Sequence, residues 1–299
     1  VQRELVGINR KERVIVDNTN QKIWKLLPDN IKTYPIADFI NMDDDLVLFP
    51  FIPIFNIGCG KVWGLAYYED LKPVTYKENV FNEIVMCREK KELIMTVVKN
   101  YDSKINNNII DGKGNNLIFL LHGPPGVGKT LTAEAISESL KKPLYHINIG
   151  DLDLDPSKLE LNLKEIDELC NQWNAILLID EADIFLEARN YSDISRNIIV
   201  AIFLKFLEYS KNIIFLTTNR LDTLDDAIRS RINLTISYSK LNENDRIEIW
   251  RNVMIDLSIT NKEKLIKDLS RIEINGREIS NLMDIVIVVI KSRENHDSK

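Results

Sequence analysis

Gly123-Pro124-Pro125-Gly126-Val127-Gly128-Lys129-Thr130 is the stretch on which the reading of this chain turns. It fits the pattern GxxxxGK[ST], with the apolar run Leu117–His122 before it and a helical period after it. The residue types answer a physical need. Glycines let backbone N–H groups turn inward around an anion with no Cβ in the way. A helix opening near Lys129 points its positive end at the same anion. Lys129 supplies a point charge to β- and γ-phosphates, and Thr130 supplies a hydroxyl to Mg²⁺. Gly123 through Leu131, with Pro124, Pro125 and Val127 among them, are therefore expected to line a bound nucleotide.

Downstream, Ile176-Leu177-Leu178-Ile179-Asp180-Glu181 is an apolar strand that ends in two acids. Placing two carboxylates at the end of a buried strand is costly unless a cation is present. Asp180 is expected to hold Mg²⁺ through water, and Glu181 to orient or deprotonate the attacking water. Asp183 either caps the next segment or helps to position metal-bound water. Asn219-Arg220-Leu221-Asp222 has the outline of a guanine-reading NKxD motif, but the lysine is missing and no DxxG follows the acidic strand. The nucleotide is therefore read as ATP, and Asn219 as a polar sensor of the attacking water and the γ-phosphate at the end of Ile213–Thr217.

Around these motifs, apolar strands alternate with helical periods. The strands are Leu117–His122, Leu144–Ile147, Ala175–Ile179, Ile213–Thr217 and Leu234–Ile236. The helices are Lys129–Leu140, Pro156–Trp173, Ser192–Tyr209 and Leu224–Arg229. That pattern predicts an α/β fold, a parallel sheet wrapped by helices. From Asn242 onward the chain reads as helix only, over Asn244–Met254, Lys262–Leu269 and Arg277–Arg293. Residues before Glu78 carry less pattern: Leu46–Ile54 holds two prolines, which confine such a run to edge strands or bends. Gly58-Cys59-Gly60 is a turn signal, and Val62–Tyr68 reads as a strand. The expected division is a small β-rich N-terminal domain over 1–78, a nucleotide-binding domain over 79–239 and a helical lid over 240–299.

Composition narrows the class. The 299 residues carry a net charge of −6, which argues against a large polyphosphate-binding face. Cys59, Cys87 and Cys170 form no CxxC pair, and with three histidines there is no zinc framework. The thiols are expected to be reduced, in an intracellular protein, cytoplasmic or nuclear. No apolar run approaches the length of a membrane span. No signal peptide is visible, and a start at Val1 rather than Met is what a fragment shows.

The order of these elements resembles the AAA+ ATPase superfamily. Gly123–Thr130 matches its Walker A motif, Ile176–Glu181 Walker B, Thr217-Thr218-Asn219 sensor 1, Leu224–Ile232 the arginine-finger segment, and Asn275-Gly276-Arg277-Glu278 sensor 2. Within it, His122 to Glu134, Leu177 to Glu187, Phe215 to Arg220 and the Trp173-Asn174-Ala175 before Walker B look like the fungal-type AAA+ proteins with an extra N-terminal domain. The resemblance implies a P-loop NTPase core of three layers with a small helical lid. It implies that Arg231 reaches a neighbouring subunit's γ-phosphate, with Arg229 a candidate second finger, and that Arg277 contacts phosphates of its own subunit. An arginine that acts on a neighbour implies a homo-oligomeric ring, a hexamer in this family, acting on a protein substrate not identified by the sequence. One departure stands out: Asn148–Ser157 lacks the aromatic pore-loop residue of polypeptide-threading relatives, while Tyr145 reads as core, and Leu152 and Leu154 as loop leucines packed on their own domain. The leading expectation is an ATP-hydrolysing remodelling enzyme; the alternative is an ATP-binding switch or scaffold with little turnover. A nucleic-acid loader finds no aromatic–basic stripe to support it.

Overall fold

The computed structural model describes residues 2–6, 11–17, 51–57, 61–67, 70–77, 79–101, 116–187, 194–220, 224–255, 257 and 261–297. The Gly58-Cys59-Gly60 turn and the first residues of the Leu46–Ile54 run lie outside the described residues.

The N-terminal part is an antiparallel sheet of β1 (Gln2–Val6), β2 (Lys11–Val16), β3 (Phe51–Asn56), β4 (Trp63–Tyr67) and β5 (Leu71–Pro73), in the order β4-β3-β2-β1-β5. Period-two alternation gives it two working faces. Val14, Ile54 and Ala66 form a small cluster on one side. Ile15, Phe55 and Ile57, the alternate positions, join the main core of the chain. A slip of one residue in β2 would exchange the two sets, so burial on both faces fixes the register. β3 sits inside this sheet although it contains Pro53, against the expectation of an edge or bend. The reason is local: the β2 ladder runs over Ile54–Asn56 only, so the missing N–H of Pro53 falls where that ladder has ended.

The chain then continues through α1 (Val80–Glu83), α2 (Arg88–Tyr101), β6 (Leu117–His122), α3 (Lys129–Leu140), β7 (Leu144–Asn148), α4 (Pro156–Trp173), β8 (Ile176–Asp180), α5 (Asp183–Leu186), α6 (Ile194–Tyr209), β9 (Ile213–Thr218), α7 (Asp226–Arg229) and β10 (Leu234–Ser237). Strands β6 to β10 make an all-parallel sheet in the order β10-β6-β9-β8-β7. Ile118, Leu120, Leu177, Ile179, Ile214 and Leu216 pack towards α4 and α6. Their neighbours Phe119, Leu121, Ile176, Leu178, Ile213 and Phe215 pack towards α2 and α3. Burial on both faces is why these strands read as unbroken apolar runs. The helix Leu224–Arg229 expected from sequence is shorter: Leu224 forms a β-bridge with Glu187, and Asp225 caps α7 by accepting from the Ala227 N–H.

A last group, α8 (Glu243–Val253), α9 (Lys262–Ser270) and α10 (Gly276–Asp297), closes around Trp250, Met254, Ile266, Ile279 and Met283. The buried Arg246 ties it internally, donating from Nε to Ser270 O at 2.7 Å and from an Nη to Leu241 O at 2.7 Å. Among the described residues no helix is long and apolar enough to cross a membrane.

The N-terminal sheet is fastened to the core by buried polar contacts as well as by Ile15 and Phe55. The buried Asp17 carboxylate accepts from Trp173 Nε1 at 3.0 Å and Gln172 Nε2 at 3.1 Å. Arg13 pairs with Glu138, and Lys61 with Asp151. At the centre of the parallel sheet, Phe119 and Phe215 stack at 4.6 Å and 7°. Phe215→Ala opens a cavity there with no exposed surface into which it can collapse, and is expected to lower the unfolding free energy by about 3–5 kcal/mol. Urea denaturation checks this: a midpoint within experimental error of wild type contradicts the packing described.

Candidate nucleotide site

The site is built at the carboxyl ends of the parallel strands, where β6, β8 and β9 stop together: His122 pairs with Thr218 and Asn148 with Asp180. β6 leads into the phosphate loop, and α3 begins at Lys129. Two of its glycines are demanded by space and backbone. Gly123 has φ +148°, and a Cβ there would lie 2.4 Å from Tyr238 O. Gly126 has φ +73°, and a Cβ there would lie 2.3 Å from Asn275 Oδ1. The loop is also held from the C-terminal helices, since the Gly276 N–H donates to Gly126 O at 2.9 Å.

Lys129 Nζ donates to Gly123 O and Pro124 O, both at 2.7 Å, and to Asn219 Oδ1 at 2.9 Å. Burial pushes its pKa down; Asp180 and Asp183 pull it back up, Arg277 adds to the depression, and Glu181 opposes it. The ammonium, both acidic residues of the β8 end, Asn219 and Arg277 thus share one electrostatic neighbourhood. Arg277 itself is exposed in the first turn of α10. Thr130 Oγ1 donates to the Asp180 carboxylate at 3.0 Å. Burial works to raise the Asp180 pKa, but the neighbouring His146 and hydrogen bonds from Thr217 and Thr130 outweigh it and bring it to about 2. His146 Nε2 lies 3.5 Å from Asp180 Oδ2. The acid is therefore an anion at any physiological pH.

Thr217 and His146 escaped the reading of the sequence. The Thr217 hydroxyl donates to Asp180 Oδ1 and accepts from the Glu181 N–H at 2.9 Å, and Thr217 O accepts from the Ala182 N–H at 2.9 Å. That clasp holds Glu181 at φ +54°, a left-handed conformation costing a non-glycine residue roughly 1–2 kcal/mol. The next residue on β9, Thr218, donates to Asp183 instead. Asp183 is the first residue of α5, where a negative charge suits the helix end. The signal for Thr217 was present in Thr217-Thr218-Asn219, but nothing in residue type separated the two threonines.

The remaining expected residues lie apart from this cluster. Leu131 is 47% exposed on α3. Arg229 is exposed at the end of α7. Arg231 is turned back on its own chain: one Nη donates to Ala227 O at 2.8 Å and the other to Glu208 Oε2 at 3.0 Å. Leu152 is buried in the core beside Leu159 and Leu163, and Leu154 is 38% exposed.

Residues 119–239 match the family described as ATPase family associated with various cellular activities (AAA). A 26S proteasome regulatory subunit homolog of Methanothermobacter marburgensis is 31% identical over 176 residues, 53% of this chain and 46% of its own length. Nuclear valosin-containing protein-like of Mus musculus is 35% identical over 121 residues, 37% of this chain and 14% of its own. ATP-dependent zinc metalloprotease FtsH of Ureaplasma parvum is 28% identical over 178 residues, 55% of this chain and 24% of its own. The chain spans about half the length of the first of these relatives and less of the other two. Residues 119–239 thus match an AAA ATPase domain, a module of the P-loop α/β fold for which ATP with Mg²⁺ is the usual cofactor. The donors fit that ion. Mg²⁺ takes hard oxygens, one or two from the protein and the rest from phosphates and water. The Thr130 hydroxyl and the Asp180 carboxylate, in mutual contact, are such a pair.

The contact between Gly126 and Asn275 gives a test of this geometry. Gly126→Ala is expected to weaken ATP binding at least about tenfold, by strain at a positive φ and by collision with Asn275. Adding Asn275→Gly removes the collision but not the strain, so the double variant should recover part of the loss. Equilibrium titration with a fluorescent ATP analogue measures both; a double variant no better than Gly126→Ala alone would show that Asn275 does not press on the loop.

Proposed function

We propose that the chain couples ATP hydrolysis to the remodelling of a protein partner, and that its site is completed by a second copy in an oligomeric ring. The observation that carries the hydrolytic part is the convergence of Lys129, Thr130, Asp180 and Asn219 through direct hydrogen bonds at one end of the parallel sheet. In this reading Lys129 holds the β- and γ-phosphates, and Thr130 and Asp180 hold the metal. Mg²⁺ held by Thr130 and Asp180 would supply positive charge against the negative charge that develops on the phosphates. Glu181, fixed on its strained backbone by Thr217, orients the attacking water and takes its proton. Asn219, already within hydrogen-bond range of Lys129 Nζ, positions the water against the γ-phosphate. Gly123–Leu131 cradle the phosphates, and Arg277 contributes from the start of α10. A scaffold that only binds ATP has no use for Glu181 held in a costly conformation.

The division into parts at 1–78, 79–239 and 240–299 follows the change from antiparallel sheet to parallel sheet to helices alone. The assignment to fungal-type AAA+ proteins rests on His122–Glu134 and Trp173-Asn174-Ala175. Arg231 is read as the finger offered to a neighbour, in a hexamer, with Arg229 as a second. Burial of Leu152 supports remodelling without that leucine gripping a threaded chain.

Glu181→Gln keeps the shape of the side chain and removes the base. ATP binding should persist while steady-state hydrolysis falls about 10²–10⁴-fold. Turnover near wild type would hand the role of base to another group.

Completion in trans is tested by mixing. Arg231→Ala alone should bind ATP and hydrolyse it slowly, because a finger is worth about 10³–10⁵ in rate. Lys129→Ala should not bind ATP, yet it still offers an intact Arg231. Mixed rings should therefore regain activity at junctions where a Lys129→Ala copy serves an Arg231→Ala copy. Absence of recovery at every ratio, with wild-type activity independent of concentration, would place Arg231 within its own chain.

A further inference from the structure

The register of β7 aims His146 at the end of β8. The two strands pair in parallel, with His146 opposite Leu178 and Asn148 opposite Asp180. His146 and Asp180 are therefore diagonal neighbours on one face of the pair, within reach of a long side chain. Tyr145 and Ile147, on either side of His146, point the other way and pack into the main core. His146 is left on the nucleotide side, where its Nε2 comes to 3.5 Å from Asp180 Oδ2.

That nitrogen is buried and has no hydrogen-bond partner among the described residues. A buried polar atom left so costs about 1–3 kcal/mol. An N–H···O bond spans about 2.7–3.2 Å, so a shift of a few tenths of an ångström closes this one. A lone pair on Nε2 would be repelled by the carboxylate, so Nε2 carries a proton. An imidazole presents that proton in its charged form and in one neutral tautomer alike. Asp180 has room for the bond. Thr217 donates to Oδ1 and the Thr130 hydroxyl lies 3.1 and 3.0 Å from the two oxygens, whereas a carboxylate offers about four lone-pair positions. Glu134, on α3, lies in the same field: burial raises its pKa, His146 opposes the rise and Asp180 adds to it.

We propose that His146 is a positioning residue for the metal: its Nε2–H closes on Asp180 Oδ2 and holds that carboxylate in the orientation that takes Mg²⁺. Thr217 fixes one oxygen from β9, and His146 fixes the other from β7, so the carboxylate cannot turn about its own bond. A donor behind a ligating group commonly sets metal affinity by about 10–100-fold. The inference rests on the reading that Thr130 and Asp180 hold the metal. It requires His146 only as a donor and does not depend on its charge.

The test uses the whole chain and a non-hydrolysable fluorescent ATP analogue, titrated once in EDTA and once in saturating Mg²⁺. The ratio of the two Kd values is the gain that the metal gives to nucleotide binding. His146→Leu and His146→Asn, one apolar and one polar, both remove the donor from the Nε2 position. Each should lower the gain about tenfold and leave the Kd in EDTA within about twofold of wild type. His146→Gln, whose amide nitrogen falls where Nε2 lies, should keep the gain within about threefold of wild type. Adding His146→Leu to Asp180→Asn should lower the gain no further than Asp180→Asn does alone. An undiminished gain in the leucine and asparagine variants overturns the proposal, and so does an equal loss in His146→Gln. A Kd that rises alike in EDTA and in Mg²⁺ also overturns it, since His146 would then shape the phosphate loop rather than the metal site. A wild-type gain in Asp180→Asn overturns the metal reading itself, and this proposal with it.

Discussion

The Thr217 hydroxyl is the joint on which the acidic end of the sheet depends. It is wholly buried between two strands, where an unpaired polar group is costly, and it spends both of its bonding capacities on β8. One bond fixes the Asp180 carboxylate and the other fixes the Glu181 N–H. Two consecutive acids are thereby sent to different tasks by a single side chain. The first is kept ionised by the donors around it; the second is carried into a left-handed turn that lets the chain leave the strand. The strain at Glu181 is tolerable because the neighbouring amides, at Glu181 and Ala182, are both bonded to Thr217.

The phosphate loop depends on a second contact, from much later in the chain. Gly126 can approach Asn275 and Gly276 only because it lacks a Cβ, and the Gly276 N–H then closes on Gly126 O. Asn275 also caps α10, accepting from the Glu278 N–H while Glu278 accepts from the Asn275 N–H. The start of α10 is therefore defined at the phosphate loop, and Arg277 comes within electrostatic reach of Lys129 as a consequence. Helices α8 to α10 share a core of their own, so a displacement of the loop is passed to them as a body rather than to one side chain.

Much of this was legible in the chain itself, and the reasons are physical. Strands such as Leu117–His122 and Ile213–Thr218 are buried on both faces, so they stand out as apolar runs, and their ends were placed to within a residue. Lys129, Thr130 and Asp180 were legible because their chemistry requires those types in that context. Thr217 was not, because alternation only sends Thr217 and Thr218 to opposite faces, and which threonine meets Asp180 and which meets Asp183 is set by strand pairing. The N-terminal sheet was harder still. β1 reads Gln-Arg-Glu-Leu-Val, with no apolar alternation to mark it, and β2 and β3 are far apart in sequence. In sequence Trp173 marks a helix end and a likeness to other sequences; its Nε1 donates to the buried Asp17 and so helps to fasten that sheet.

In the proposed ring, Arg231 would be shared between assembly and catalysis. Within its own chain it makes an ion pair with Glu208 in which both side chains are about one-third exposed, and an exposed pair of this kind is worth roughly 0–1 kcal/mol. Its bond to Ala227 O adds about 1 kcal/mol, and its buried Nε has no hydrogen-bond partner among the described residues. The resting position is thus partly satisfied and cheap to leave. A neighbour's phosphates offer charge-assisted, bidentate bonds in a site from which water is withdrawn, and these are the stronger kind. In the ring proposed here the balance favours leaving Glu208 only when a second copy presents a triphosphate. The separated chain then keeps its arginine stowed, and the same ion pair that stabilises it alone is the one given up on assembly.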